Sequence, residues 1–469
     1  MSKPQRGASR QPELFARSTR PTIEIDPKHR LAVLERTIDW TDLEERAHLI
    51  RCMKLKSAAG RPPHLRALNG AMVLMASRSM SFREAEEQIR HYGPARLLCG
   101  LTETDWTPDH NTLADYARHL GPEGMKMFNE YAVELAVKEK LAEPNVLVAD
   151  TTAQEAAIAH PNEMGLMASF ITAVGTASQK AGEKLKQFAE QVDEQMKAAK
   201  KKVREYRLFT KKESAEETKQ AKKRIVEDMA SLVEGVQDAL GEALDKGASQ
   251  VEKLRNYGKV AHRKLEALHE TMKTLLPQIR FWLKKGKVAV DKIINLHIPE
   301  LYSIVRGKAG KAVEFGIKWG VRRIQGGYVL LTMAGQRSDL VDTNFAVSAV
   351  DEHIELFGKP PISYAYDRGG WSEQNAQTLK KRGVAKVGLA PRGQAKWQVC
   401  EDDIQVLVNE RSKVEGSIGA LKNPRYGFNR PRARSVEMMG LCGQRAAFGH
   451  NLNKLVRGLL KQKRWEMVG

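Results

Sequence analysis

The chain has 469 residues and carries 77 Lys and Arg against 57 Asp and Glu, which gives a formal net charge of +20. This excess favours a polyanionic partner, although ribosomal and membrane-surface proteins are also basic. No run of about 18 uncharged apolar residues is present, and the chain starts without the apolar segment of a signal peptide. We therefore expect neither a membrane span nor secretion.

Two further absences restrict the chemistry. The four cysteines are scattered, with no Cys-x2-Cys pair and no histidine at zinc-ligand spacing, which argues against structural zinc and a disulfide framework and suits a cytoplasmic protein. No Gly-x4-Gly-Lys-Ser/Thr loop occurs, so we expect no nucleotide cofactor.

The amino-terminal part is predicted to be a basic, flexible arm over residues 1–35, followed by a helical module over residues 36–142. Ser81 and Glu84 have the spacing of a capping box, in which both side chains accept hydrogen bonds from backbone amides at a helix start. Residues 107–120 are predicted to form a turn and a short helix that ends at Gly121 and Pro122.

The apolar run at 145–150 ends in Asp150 and is predicted to be a buried strand. The chain then enters a stretch, 165–295, in which charged and apolar residues alternate with helical period and proline is absent between Pro161 and Pro277. This pattern predicts an insertion of three or four long helices, with breaks near residue 208 and at Gly247 and Gly258. Its lysine runs fit either a DNA contact or a dimer contact.

Strand character returns at 311–319 and 328–333, with Gly326 and Gly327 at the turn between them. The later predictions, in chain order, are a helix at 339–357, a strand at 362–367, a helix at 372–382, a strand at 385–390, a helix that bears Glu415, and a basic carboxyl-terminal helix within residues 431–469. The fold class is therefore mixed α/β, and the order of elements is that of a ribonuclease H-like core interrupted after its first strand.

Three acidic residues stand out within this order. Asp150 and Asp367 each end an apolar run, and the two strands are expected to lie side by side, which brings their carboxylates together. Glu415 lies on a helix where Arg411 and Lys422 fall within about 40° of it, at roughly 100° per residue. A single aspartate at a strand end is usually a turn former, but three acids in this order favour a functional set.

Such a set suits phosphodiester chemistry, which needs an activated water or 3′-hydroxyl and a neutralised leaving oxygen. Two Mg²⁺ ions about 4 Å apart supply both effects, and Mg²⁺ is held by a few carboxylates together with water and phosphate oxygens. Asp150, Asp367 and Glu415 are the candidate catalytic residues and metal ligands, with Mn²⁺ as a possible substitute.

These residues and their neighbours resemble the DDE transposases of bacterial insertion sequences, whose last acid lies in a Tyr-x2-Arg-x3-Glu-x6-Lys signature. Arg411, Glu415 and Lys422 match three of the four positions, whereas Val408 replaces the tyrosine and removes a hydroxyl expected to contact a DNA phosphate. Residues 367–371 resemble the motif around the second acid. The likeness also includes 148–152, 297–328 and an amino-terminal stretch at 66–120.

The resemblance implies a role for each part of the chain. The module 36–142 would bind the terminal inverted repeats, residues 143–164 and 296–430 would form the catalytic core, and a homodimer would pair two double-stranded DNA ends before attack on target DNA. Arg411 and Lys422 would contact the DNA backbone. Trp371 would stack on an unpaired base or pack against the following helix, and packing is the favoured interpretation.

Two alternatives remain open. A structure-selective nuclease on the same fold would hydrolyse DNA without joining it. A catalytically inactive DNA-binding protein derived from a transposase would use only the helical modules. The three intact acids argue against this alternative, whereas Val408 in place of the tyrosine argues slightly for it.

Overall fold

The computed structural model describes residues 24–54, 63–102, 105–181, 183–208, 216–247, 251, 254–308, 311–335, 340–391, 393 and 396–462. Within these ranges the chain is mixed α/β and mostly helical, with one six-stranded sheet. Most of the expected basic arm, the lysines at 211–212 and the end of the carboxyl-terminal region lie outside the described residues. None of the described helices is long and apolar enough to cross a membrane.

The amino-terminal module is helical, as predicted. Its helices are α1 (Arg30–Thr37), α2 (Trp40–Lys54), α3 (Leu65–Arg78), α4 (Phe82–His91), α5 (Gly93–Leu98) and α6 (His110–Lys138). The capping box of Ser81 and Glu84 is present at the start of α4. Gly121 interrupts α6 with φ of 63° and ψ of −167°, and the helix resumes after Pro122. The predicted end of the short helix is therefore a kink within a longer one. α1 starts at Arg30, within the range predicted for the arm.

The sheet contains β1 (Glu143–Glu155), β2 (Tyr302–Lys308), β3 (Lys311–Gln325), β4 (Val329–Met333), β5 (Ser363–Tyr366) and β6 (Lys386–Leu389). The strand order is β2-β3-β1-β5-β6, and β4 pairs with β3. β1 is antiparallel to β3 and parallel to β5, which is itself parallel to β6. The prediction that the strands of the two aspartates are neighbours is confirmed.

Two strand predictions need correction. β1 continues five residues past Asp150, because β3 provides backbone partners as far as the pair Glu155–Gly316. The polar residues after Asp150 contain no apolar run to reveal this extension. β2 was not predicted; it is an edge strand paired with β3, and Val305 within it is 74% exposed. Edge strands need little apolar surface, so the sequence pattern does not reveal them.

The insertion after β1 contains four helices, α7 (Glu163–Ser178), α8 (Glu183–Leu208), α9 (Glu216–Gly247) and α10 (Asn256–Lys285). They enclose a core of their own, which includes Phe170, Leu240, Leu265 and Met272. Helix ends at Leu208 and Gly247 agree with two of the predicted breaks, whereas Gly258 lies inside α10. The insertion thus folds around its own apolar residues.

The remaining helices are α11 (Asp342–Phe357), α12 (Glu373–Lys381), α13 (Glu401–Leu421) and α14 (Val436–Lys461). The expected basic tail helix is instead largely buried, because α14 packs against α6, α3 and β4. Asn451 of α14 donates from Nδ2 to Asn129 Oδ1 of α6 and to the carbonyl of Val329 in β4, both at 2.7 Å. Its Oδ1 accepts from the amide of Val329 at 3.0 Å. This network joins the amino-terminal module to the sheet.

Helices α3 and α14 also meet at a close contact, which gives a stability prediction. A Cβ added at Gly449 of α14 would lie 2.2 Å from the backbone oxygen of Ala76 in α3. Gly449→Ala should therefore lower the free energy of unfolding by about 1–3 kcal/mol, because the two helices must move apart. Urea unfolding of the full chain measures the change.

Gly235→Ala in α9 is the matched control, since nothing lies within 4 Å of the added Cβ. It should be neutral, or stabilising by up to about 1 kcal/mol through helix propensity. Equal stability of the two variants would show that α3 and α14 are not in contact.

Burial of His353 on α11 predicts a pH dependence of stability. Burial, followed by the charge of Arg322, lowers the pKa of His353 to about 4. The unfolded chain gains a proton near pH 6.5 that the folded chain still excludes. Stability from this residue is thus present above about pH 6.5 and lost toward pH 4, at up to about 1.4 kcal/mol per pH unit.

Urea unfolding between pH 4 and 8 measures this slope. His353→Gln should reduce the slope of the free energy of unfolding against pH between pH 4 and 6.5. This holds whether or not the variant is less stable than the wild type at pH 8. An unchanged slope in this variant would contradict the assignment.

Candidate active site

Asp150 and Asp367 lie next to each other on neighbouring parallel strands. β1 and β5 pair in register through Val148 and Ala365, and each aspartate lies two residues further along its strand direction. Because side chains alternate between the faces of a strand, Asp150 points to the same face as Val148. Val148 and Ala365 belong to the core that contains Leu407 of α13. The two aspartates are therefore placed on the sheet face that α13 covers.

Each of these carboxylates accepts a hydrogen bond from nearby backbone. Asp150 Oδ1 accepts from the amide of Thr151 at 2.7 Å. Asp367 is the N-cap of a short 3-10 turn, Arg368–Gly370, and its Oδ1 accepts from the amide of Gly369 at 2.7 Å. Both side chains are partly exposed. Their orientation is thus set locally, at a place that solvent reaches.

A third aspartate, Asp342, borders the same place and was missed in the sequence. Its Oδ1 accepts from the hydroxyl of Thr151 at 3.1 Å and from Nζ of Lys318 at 3.2 Å. A Cβ added at Gly369 would lie 2.8 Å from Asp342 Oδ2 and 2.8 Å from Asp367 Oδ1. The two carboxylates therefore share one glycine as neighbour. Asp342 is the first residue of α11, where an acidic side chain is ordinarily explained by its favourable interaction with the helix dipole. Its position in the sequence therefore gave no sign of a site.

Two buried tyrosines of β5 are influenced by these charges. Tyr364 and Tyr366 are 0% exposed, and neither hydroxyl has a hydrogen-bond partner among the described residues. Burial raises the pKa of both, and the charges of Asp150 and Asp367 raise each further. The hydroxyls therefore stay protonated. Their side chains lie in the core on the opposite face of the sheet from Ala365, together with Phe345 and Ala346 of α11.

Glu415 lies on α13 but on its exposed side. Leu407, Val414 and Leu421 bury the inner side of the helix, whereas the Glu415 side chain is 68% exposed and its Oε1 is 4.0 Å from Arg411. Arg411 and Glu415 thus make only a loose surface contact. Such pairs contribute little to stability, so the glutamate has room to change rotamer.

The other two predicted DNA-contact residues lie elsewhere. Lys422 follows the last residue of α13, and its Nζ lies 3.9 Å from Glu314 Oε1 of β3. It is therefore turned toward the sheet. Trp371 is partly buried and packs against the hydrophobic core. This agrees with the packing interpretation of Trp371 that the sequence favoured.

A second glutamate of α13 faces the protein. Glu410 Oε2 accepts from Nη1 of Arg323 in β3 at 3.1 Å, and these side chains are only 17% and 10% exposed. Of these two glutamates, Glu410 is therefore in a half-buried ion pair and Glu415 is near solvent. Only the second is available for a ligand without loss of a structural contact.

Asp150, Asp367 and Glu415 are the right kind of ligand for Mg²⁺, but their carboxylates do not form one group. Carboxylate oxygens are the ligands that this ion prefers, and Asp150, Asp367 and Glu415 lie on one side of the sheet. In the part of the chain that the structure describes, no three or more His, Cys, Asp or Glu side chains form a group that could hold a metal ion. The described residues therefore place the two aspartates on neighbouring strands and leave the exposed Glu415 outside any such group.

Comparison with known proteins gives one match. Residues 21–119 match the family model described as Transposase domain (DUF772). This segment includes α1 to α5 and the start of α6, and the match supports a transposase family. No curated protein and no solved structure matches the chain.

The two glutamates of α13 should respond differently to substitution. Glu410→Gln should lower the free energy of unfolding by about 1–3 kcal/mol, because Arg323 would remain buried with a weakened partner. Glu415→Gln should change it by less than about 0.5 kcal/mol, as expected for an exposed side chain. Urea unfolding of both variants tests this difference, and a larger loss for Glu415→Gln would contradict the placement of these side chains.

Proposed function

We propose that this protein is a DDE transposase of an insertion sequence, with a ribonuclease H-like catalytic core. It binds the ends of the element and carries out strand cleavage and strand transfer. The observation that carries this proposal is the parallel pairing of β1 with β5, which sets Asp150 and Asp367 side by side. The match of residues 21–119 to a transposase domain supports it independently.

The chemistry follows from the carboxylates. Asp150, Asp367 and Glu415 would hold two Mg²⁺ ions, which supply activation of a water or 3′-hydroxyl and neutralise charge on the phosphate. Asp150 and Asp367 are prepositioned by backbone amides, whereas Glu415 completes the set from α13 when DNA binds. Asp342, which shares Gly369 with Asp367, adds negative charge that helps to attract the ions.

The basic side chains supply the contact with DNA. Arg411, next to Glu415 on the exposed side of α13, would contact the backbone beside the scissile phosphate. The helical module, which contains most of the transposase-domain match, would bind the terminal inverted repeats. The net charge of +20 favours such binding and makes it dependent on salt.

In this proposal the two element ends must be paired before either is cut. We therefore propose a homodimer on DNA. Light scattering on a complex with paired ends should give a dimer or a larger assembly. The nuclease alternative predicts hydrolysis without joined product, and the inactive alternative predicts binding without cleavage.

Asp150→Asn and Asp367→Asn should each abolish cleavage of a duplex that carries the DNA flanking the coding region. Loss of one ligand charge removes metal affinity, whereas DNA binding through the helical module should stay within about twofold. Gel analysis of strand cleavage in Mg²⁺ and fluorescence anisotropy measure the two quantities. A strand-transfer assay with precut ends separates a transposase from a nuclease.

Asp351→Asn is the matched control, since Asp351 is an exposed aspartate of α11 that pairs with Arg382 at 2.6 Å. It should leave cleavage unchanged. Cleavage that survives in Asp150→Asn, or that is lost equally in Asp351→Asn, would overturn the assignment of the catalytic residues.

A further inference from the structure

A cavity of about 270 Å³ lies between the amino-terminal module and the buried carboxyl-terminal helix. Its apolar lining includes Leu31 and Leu34 of α1 together with Leu452 and Val456 of α14. Three arginines also line it: Arg30 of α1, Arg78 at the end of α3, and Arg425 in the turn after α13. We call this cavity the arginine pocket. It lies where four segments meet: α1, α3, the turn after α13, and α14.

Two of these guanidinium groups converge on one buried oxygen. Arg30 donates from Nη2 to Oδ1 of Asn453, and Arg425 donates to the same oxygen at 3.4 Å. Asn453 is 2% exposed, and its Nδ2 donates to the carbonyls of Ser77 and Gly449 at 3.0 and 2.8 Å. The amide is thereby fixed with its oxygen toward the arginines. The pocket is built by a buried polar side chain.

The positive charge in the pocket is not balanced. Among the described residues, none of Arg30, Arg78 and Arg425 forms an ion pair with a carboxylate. By contrast, Arg46 in the same module contacts two carboxylates at 2.8 Å. Burial lowers the pKa of Arg30, and the charges of Arg425, Arg457 and Arg78 lower it further. An anion in the pocket would relieve this repulsion.

We propose that the arginine pocket binds a phosphate group. Guanidinium groups present paired N–H donors that match phosphate oxygens, and they keep their charge at any relevant pH. The pocket is too small and too basic for a large apolar ligand. Its three guanidiniums supply N–H donors for one tetrahedral oxyanion, and the Oδ1 of Asn453 positions two of them.

The surroundings favour DNA over free phosphate as the source, a step that rests on the proposed function. Lys454, Arg457 and Lys461 follow one another along one side of α14 and line a neighbouring cavity of about 350 Å³. Burial lowers the pKa of both Arg30 and Lys454, and the charge of Arg457 lowers both further, so Arg457 is within electrostatic range of both cavities. A row of basic side chains of this kind suits the successive phosphates of a DNA backbone.

The test uses the full-length protein with Arg30→Gln, Arg78→Gln and Arg425→Gln combined. The matched control combines Arg118→Gln, Arg280→Gln and Arg382→Gln, three arginines whose side chains are 62%, 43% and 47% exposed and ion-paired. Both triple variants lose the same charge. Any difference between them therefore reports on the pocket and not on net charge.

Thermal unfolding with inorganic phosphate, against chloride at equal ionic strength, is the first arm. Phosphate should raise the Tm of the wild-type and control proteins by a few degrees and leave that of the pocket variant unchanged. A purely structural role of the arginines would lower Tm without removing the response to phosphate.

Anisotropy with duplex DNA at several salt concentrations is the second arm. If DNA supplies the phosphate, the pocket variant should bind about tenfold more weakly than the control, with a salt slope smaller by about one. Loss of the phosphate response with unchanged DNA binding supports the pocket and identifies free phosphate as the source.

The proposal is overturned if the pocket variant matches the control in both arms. Its failure is distinguishable from failure of the proposed function, because Asp150→Asn leaves the arginine pocket intact. A protein that binds phosphate in the pocket but cuts no DNA would retain this inference and lose the other.

Discussion

The parallel contact between β1 and β5 is the constraint on which the rest of the structure depends. It joins strands that are separated in the chain by the whole helical insertion. The backbone amide of Ile362 donates to the carbonyl of Asn145 at 2.8 Å, just before the paired residues. Closure of a long loop adds little entropy cost per added residue, and the insertion has its own core. The sheet can therefore accept the insertion without loss of register.

That contact also explains why the candidate site lies where it does. Parallel strands end at a common edge, so residues that follow them come together. Asp150 is an exception in being inside its strand, yet its register with β5 still sets it beside Asp367. Asp342 reaches the same place from the start of α11, held by Thr151 and Lys318. The positions of the three aspartates thus follow from sheet topology.

Much of the architecture could be predicted from the sequence because its signals are local. Apolar runs located β5 and β6, a capping box located α4, and helical period located the insertion. The signals failed where structure depends on a distant partner. The extension of β1 requires β3, and the burial of α14 requires α3 and α6. A basic, glycine-containing helix gives no sign that its glycines permit close approach to another helix.

The site residues, too, could be predicted only where the sequence signal is local. Asp150 and Asp367 were identified because each follows an apolar run, and Glu415 because of its spacing from Arg411. The pattern could not show that Lys422 turns toward Glu314, or that Glu410 takes the inner side of α13. Arg30, Arg78 and Arg425 have no shared motif. Their convergence depends on α14, so only the folded chain reveals the arginine pocket.

Buried polar contacts join the amino-terminal module, the sheet and the carboxyl-terminal helix. Asn451, Asn129 and the backbone of Val329 satisfy one another where α6, α14 and β4 meet. Arg322, 1% exposed, contacts Glu352 of α11 at 2.8 Å across the other face of the sheet. A buried group that lost such a partner would carry its full desolvation cost. These contacts therefore specify one arrangement of helices around the sheet.

The most direct test of the central claim is protein cleavage by hydroxyl radicals generated at bound Fe²⁺ in place of Mg²⁺. If β1, β5 and α13 together form one metal site, the backbone should be cut near residues 150, 367 and 415 at once, and excess Mg²⁺ should suppress all three cuts. Cuts confined to one of these segments, or cuts that persist in excess Mg²⁺, would contradict a shared site.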